Sequence, residues 1–238
     1  DKPFFLNLFI GTTHPPFGTE YPYYTRYTEA EYSGESMFGM SKLTDPNEII
    51  QSQKEPKSAF DLEQIIDLYD GSVHNFDDEV RKICHTLKVQ NLDQNTIVVI
   101  YSDHGMEFFE HDTWGQGNNI YGTASANIPL IICDPRRKGS GEVDSLCRSI
   151  DIMPTLLELC GLDIPTSIQG TSLCPTIDGM KQSPLSAYFE TGLWLATPPG
   201  QDPNHLRYPE LMDLLEIPDK NTSTLSINPR YDEMIEDA

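Results

Sequence analysis

Asp103 and His104 stand side by side, directly after Thr96-Ile97-Val98-Val99-Ile100-Tyr101. A carboxylate oxygen and an imidazole nitrogen on adjacent residues can bind one divalent cation. The run before them is β-branched and aromatic, and it reads as a buried strand that ends at Ser102. In open α/β sheets, ligands collect at the carboxyl ends of strands. His14 lies in Thr12-Thr13-His14-Pro15, and His111 follows Glu110. An imidazole can take up or release a proton near neutral pH. Taken singly, each residue has a plainer reading. A strand-end Asp commonly caps a loop, and a loop His before Pro is commonly just exposed.

The elements that must position these groups alternate along the chain. Phe4–Ile10, Ile97–Tyr101 and Ile128–Cys133 read as strands. Residues Ile65–Leu87 read as an amphipathic helix. Its stripe is Ile65/Ile66, Tyr69, Val73, Phe76, Val80, Ile83/Cys84 and Leu87, in steps of three and four. Asp151 is placed to cap a helix that runs through Leu159, with Pro154 in its first turn and Gly161 as its stop. Ala187–Glu190 reads as a short strand, and Gly18–Pro56 as a long irregular stretch. The fold class expected is α/β, a mostly parallel sheet flanked by helices. A core over residues 1–195 precedes an acidic, Pro- and Asn-rich tail or lid at 196–238.

Several stretches in order resemble the sulfatase family of the alkaline phosphatase superfamily. They are Phe4-Phe5-Leu6 with His14-Pro15-Pro16-Phe17, then Ser102-Asp103-His104-Gly105, then Glu110-His111 with Trp114-Gly115-Gln116-Gly117. Ile128-Pro129-Leu130-Ile131, Asp151-Ile152-Met153-Pro154-Thr155-Leu156-Leu157-Glu158-Leu159 and Gly170-Thr171-Ser172-Leu173 follow. The family's pattern for the third stretch is GEHxxWGKG. The resemblance implies an alkaline phosphatase-like fold and metal-dependent hydrolysis of sulfate esters. It implies Asp103 and His104 as metal ligands, His14 and His111 as catalytic groups and Gln116 as a substrate contact. The cofactor it implies is a divalent metal, with calcium ahead of manganese or magnesium. Formylglycine, the sulfatase nucleophile, would lie outside this chain.

Departures from the pattern keep other substrates open. Gln116 stands where the family usually has a Lys, and Asn127 where it usually has an Arg. Losing two cations weakens a sulfate site. A phosphonate or phosphodiester hydrolase, or a phosphoglycerol or phosphoethanolamine transferase of the same fold, is one alternative. A non-catalytic sulfatase-like binding domain is another. Cys133-Asp134-Pro135-Arg136-Arg137 matches the bare CxPxR form of the formylglycine site, but it comes after His14 and Ser102–Gly105, so the match reads as chance. Asp70 and His74, one helical turn apart, read as a surface ion pair.

Composition narrows the partners. The net charge is −21 over 238 residues, which argues against nucleic acid and anionic membranes. No apolar run approaches a membrane span. A small anionic ester is the partner the motifs suggest, and oligomeric state is not legible. The five cysteines contain no CxxC pair, and Cys84 and Cys160 are expected as buried thiols of a reducing compartment. The expectation is of an internal and C-terminal piece of a longer enzyme, inactive alone. His14, Asp103 and His104 are expected at one sheet edge within about 10 Å.

Overall fold

The computed structural model describes residues 2–37, 57–111, 114–115, 123–137, 141–181 and 185–189, with the pairs 215–216 and 226–227. The chain divides into two compact units. One comprises Asp1–Val89, His104–Asn127 and Thr191–Ala238; the other comprises Gln90–Asp103 and Ile128–Glu190.

In the first unit the dominant element is helix α1, Leu62–Val89. Asp61 precedes it, and its carbonyl accepts the Ile65 N–H at 3.1 Å. Glu63 in the first turn and Lys88 in the last suit the helix dipole. The buried face runs through Gln64, Ile65, Leu68, Gly71, Ser72 and Asn75. That face is turned by about one residue from the expected stripe, and Val73 and Ile66 are exposed. Gly71 shows why. A Cβ there would meet the Tyr23 carbonyl oxygen at 2.6 Å, so the 3₁₀ turn Tyr23–Thr25 packs backbone to backbone on that face. An apolar stripe in sequence does not register such a contact.

The apolar centre of this unit is Phe17, Ile65, Leu68, Phe109 and Trp114, with Phe60, Leu62, Tyr69, Met106 and Phe108 packed around it. The rings meet edge-on or tilted, with Phe17–Tyr69 centroids at 5.4 Å and Tyr69–Phe108 at 5.1 Å. Strands β2 (Glu107–Phe108) and β3 (Trp114–Gly115) form a short antiparallel hairpin that supplies Phe108 and Trp114 to this centre. Helix α2 is one turn, Thr123–Ala126.

In the second unit β1 (Val98–Tyr101) pairs with β4 (Leu130–Cys133). Val98 opposes Cys133, and Tyr101 opposes Leu130. The ladder is apolar apart from the Tyr101 hydroxyl and the Cys133 thiol, but β1 is not the buried strand its composition suggested: none of its residues is fully buried, and Tyr101 is exposed. The pairing is antiparallel, not parallel, and so are all ladders among the described residues. Parallel neighbours need a crossover helix. The described residues between β1 and β4 offer only the β2–β3 hairpin and the single turn α2. Helix α3 (Ile152–Leu159) ends as expected at Gly161, φ +68°, with Leu162 N–H donating to Leu157 O at 2.9 Å. Helix α4 is one turn, Cys174–Ile177. Leu215–Glu216 and Ser226–Ile227, β5 and β6, pair antiparallel in the first unit.

Other expectations fail for identifiable reasons. Phe4–Ile10 is no strand. No ladder partner reaches it among the described residues, and Phe5 and Phe9 are 87% and 84% exposed. Residues 187–189 carry no strand either. Cys84 and Cys160 are exposed, because Cys84 lies in the less buried C-terminal half of α1 and Cys160 just past α3. The one buried cysteine among the described residues is Cys174. Most of Gly18–Pro56 beyond residue 37 lies outside the described residues, as does most of the tail. Among the described residues no helix is long and apolar enough to cross a membrane.

Asp151 stands at the N-cap position of α3 as the sequence suggested, but its carboxylate makes no cap bond to that helix. It turns back instead. Oδ1 accepts from Arg148 Nη2 and from Thr171 N–H, each at 2.8 Å, and Oδ2 accepts from Arg148 N–H and Nε, each at 3.0 Å. Asp151 is 0% exposed. Burial pushes its carboxyl up, but the Arg148 and Thr171 hydrogen bonds outweigh that and hold it below the usual carboxylate range. A depressed folded pKa stabilises the fold above the ordinary carboxylate range, and that contribution is lost as pH falls through the lowered value. Asp151→Asn should therefore cost about 3 kcal/mol by leaving Arg148 unpaired. It should also flatten the acid dependence of the second unit. Amide hydrogen exchange over residues 148–171, measured from neutral to acid pH, checks both; unchanged protection in the variant would refute them.

Candidate functional site

At the end of β1, Ser102 Oγ lies 3.4 Å from Asp103 Oδ1. The chain then enters the first unit at His104. His104 Nδ1 is 2.9 Å from the Gly105 carbonyl oxygen. A carbonyl only accepts, so Nδ1 carries the hydrogen and Nε2 the lone pair. That is the usual arrangement of a metal-binding imidazole, whose second nitrogen is tied to a backbone carbonyl.

Gly105 is held by close approach. Its N–H donates to Ser125 O at 2.8 Å, and a Cβ on it would stand 2.0 Å from Ala124 O. Helix α2 thus lies directly on the backbone that carries His104. The Ser125 hydroxyl beneath is buried and has no hydrogen-bond partner among the described residues.

His14 is exposed and sits in a tight turn. Its N–H donates to Gly11 O at 3.1 Å, its carbonyl accepts the Phe17 N–H at 3.0 Å, and Nδ1 donates to Pro15 O at 2.7 Å. Phe17 anchors this turn. It is buried in the aromatic centre and adopts φ +63°. Its ring meets Phe108 at 5.8 Å. The turn of His14 and the hairpin of His111 are therefore fastened to one aromatic cluster.

His111 is gripped from the inside. Glu107 Oε1 accepts from the His111 N–H at 3.1 Å and from Nδ1 at 2.6 Å. Glu107 is 1% exposed, whereas the His111 side chain is 39% exposed. Phe109, between them, adopts φ +67°. In the GEH pattern this position is Gly, the residue that takes positive φ without cost. Here burial of Phe109 against Phe60, with ring centroids 5.6 Å apart, holds the same backbone shape. Sequence reasoning passed over Glu107. The available signal was a carboxylate four residues before a motif histidine.

Gln116 lies outside the described residues. Asn127 closes α2, its N–H donating to Thr123 O at 2.8 Å. Among the described residues no group of three or more His, Cys, Asp or Glu is gathered that could hold a metal ion. Asp103 and His104 thus have the donor chemistry for a divalent ion, and the described residues do not complete its shell.

Two other clusters are explained without chemistry. Arg136 forks onto Asp134 at 2.8 Å through both Nε and Nη2, and Nη2 also donates to Leu159 O at 2.6 Å. Hydrogen bonds from Arg136 hold the Asp134 carboxyl below its usual range despite burial. The CxPxR-like stretch is thus a structural tie between β4 and α3. The expected Asp70–His74 ion pair is replaced: His74 Nδ1 bonds Tyr27 OH at 3.0 Å, and Tyr23 packs edge-on against its ring. Tyr23 OH itself donates to Asp78 at 2.6 Å. The Tyr23–Thr25 turn lies over that face of α1 and so takes the histidine.

Comparison with known proteins gives a consistent set. A family model described as Sulfatase matches residues 1–162. The chain is 30% identical over 180 residues to an endo-4-O-sulfatase of Bacteroides thetaiotaomicron, covering 73% of this chain and 32% of that protein. It is 27% identical over 206 residues to the multifunctional alkaline phosphatase superfamily protein PehA of Trinickia caryophylli, covering 76% and 39%. Its fold is like that of the phosphonate monoester hydrolase of Agrobacterium radiobacter, with TM-score 0.55, 23% identity, and coverage of 71% of this chain and 37% of that one. The chain spans roughly a third to two-fifths of these relatives' length.

The close approach at Gly105 yields a direct test. Gly105→Ala should push α2 off the His104 backbone, since Ala124 O cannot share the space. The expected result is faster amide exchange at Gly105 and over 123–127, with the second unit unaffected. Exchange identical to the native chain would show that the contact is not tight.

Proposed function

The chain belongs to the sulfatase family, and from that premise we propose that the whole protein is a metal-dependent hydrolase of sulfate esters. Cleavage of such an ester develops negative charge on the nonbridging oxygens and on the leaving oxygen. Asp103 and His104 would hold a divalent ion, which when bound neutralises part of that charge. His104 presents Nε2, because Nδ1 is committed to Gly105 O. His14 would assist the leaving oxygen with a proton. His111 would exchange a proton or hydrogen bond with the ester, and Gln116 would contact its oxygens as a neutral donor. The observation that carries this reading is the His104–Gly105 arrangement: the motif histidine has the tautomer a metal ligand needs.

A second reading has its own support. A neutral Gln116 and Asn127 in place of cations suit a less demanding anion, and PehA, among the relatives, is named multifunctional. Phosphonate and phosphodiester substrates therefore belong in the assay beside aryl sulfates.

Asp103→Ala in the whole protein should lower kcat/KM on any of these esters by at least about 100-fold. Loss of a mere outer partner of a metal ligand already costs about 10- to 100-fold. Cys133→Ala should leave turnover unchanged, since Cys133 ends β4 beside a structural Arg136–Asp134 pair. Turnover and metal content of both variants decide the matter. A folded but dead Cys133→Ala enzyme, or a fully active Asp103→Ala enzyme, would overturn the proposal. Absence of turnover in the native whole protein on every ester class would favour a binding role.

A further inference from the structure

We propose that Glu107 is a positioning residue that fixes the hydrogen of His111 on Nδ1, so that His111 takes up and releases protons at Nε2 alone.

The geometry of a buried acceptor supports this. Glu107 is nearly solvent-free, and its Oε1 already serves as the acceptor of the His111 backbone N–H. The atom of His111 that stands 2.6 Å from it must therefore be an N–H. The His111 backbone N–H donates to the same Oε1, which fixes the start of the side chain as well as its ring. Nδ1 then keeps its hydrogen in the neutral and in the protonated imidazole alike. Only Nε2 changes, and no hydrogen bond reaches it among the described residues. It belongs to a side chain more than a third exposed, whereas Nδ1 faces a carboxylate that water does not reach.

The backbone is arranged for this contact. Phe109 holds a positive φ that brings His111 back over Glu107, and the cost of that conformation is offset by burial of its ring. Glu110 caps the same turn from outside by accepting the Phe108 N–H. A residue whose only task was to fill the core would not need a charge there. Burying a carboxylate is costly unless donors meet it.

The inference deepens the sulfatase reading where it makes Nε2 the working atom, and rests on that reading only there. The tautomer can be tested apart from activity. Nitrogen-15 spectra of the histidine-labelled chain distinguish a ring nitrogen that carries hydrogen from one with a lone pair. His111→Gln assigns the signal. In the neutral form, Nδ1 of His111 should carry the hydrogen. Glu107→Gln, which keeps an acceptor oxygen, should preserve that pattern; Glu107→Leu should reverse it toward the Nε2–H form favoured by free imidazole. Native spectra with the hydrogen on Nε2 would overturn the proposal without recourse to any variant.

The second arm uses the whole protein. Glu107→Leu should lower kcat by about 10- to 100-fold with KM little changed, the size of effect seen when the partner of a metal-bound histidine is removed. Glu107→Gln should restore most of it. The double variant Glu107→Leu, His111→Gln should be no slower than His111→Gln alone, because Glu107 acts through His111. Additive losses would show a separate structural role and overturn the positioning claim. A native Nδ1–H tautomer with full activity in His111→Gln would retain the hydrogen-bond geometry and remove His111 from the reaction.

Discussion

A carboxylate taken out of water must be met by donors, or it does not remain charged. Both units of this chain are shaped by that requirement. In one, Asp151 gathers the Arg148 guanidinium, the Arg148 N–H and the Thr171 N–H, and so fastens the turn before α3 to the loop before α4. In the other, Glu107 gathers the backbone and ring of His111. The two are solved differently. Asp151 is matched by a full cation and serves architecture. Glu107 is matched by an imidazole, a group whose charge can change, and so its burial is coupled to a side chain that reaches solvent.

The aromatic centre plays a complementary part. Phe17 and Phe109 both adopt positive φ, a conformation that bulky residues rarely hold. Each sits within three residues of a candidate catalytic histidine. The backbone there is not relaxed, and it persists because both rings are buried in one cluster. A glycine could adopt the same φ, yet it would bring no ring to the core. Shape and anchorage are thus supplied by one residue at each turn, and the histidines inherit their positions from it.

The legibility of the sequence follows from what patterns encode. Helix α1 was readable because it is long and its apolar residues recur in steps of three and four. The true buried face was not, because Gly71 invites a backbone that no hydropathy pattern records. β1 and β4 were readable as strands from their composition, but composition carries no pairing direction. Phe4–Ile10 has strand composition but no ladder partner among the described residues, and a strand needs a neighbour as well as propensity. At the site, His104 and His111 could be chosen from motif order. Their tautomers could not, since these depend on Gly105 O and on Glu107, partners that only a folded turn brings near. Asp151 reads as a capping side chain because Asp before a helix usually is one. It folded back because a guanidinium three residues earlier competes for it.

The two units are interleaved along the chain: residues of one interrupt the other twice. This has a consequence for how the protein comes into being. Phe17 leaves the ribosome before Phe109 and Trp114, so its cluster lacks them until the hairpin is made. β1 is synthesised before that hairpin and must wait for β4, its ladder partner among the described residues. Neither unit is one contiguous stretch, so neither can close cotranslationally as a single block, the common course for multidomain chains. Each must hold apolar surface open while the other is being extended. During that interval, exposed β-branched segments such as Val98–Tyr101 are the points at which chaperone capture or misassociation would begin.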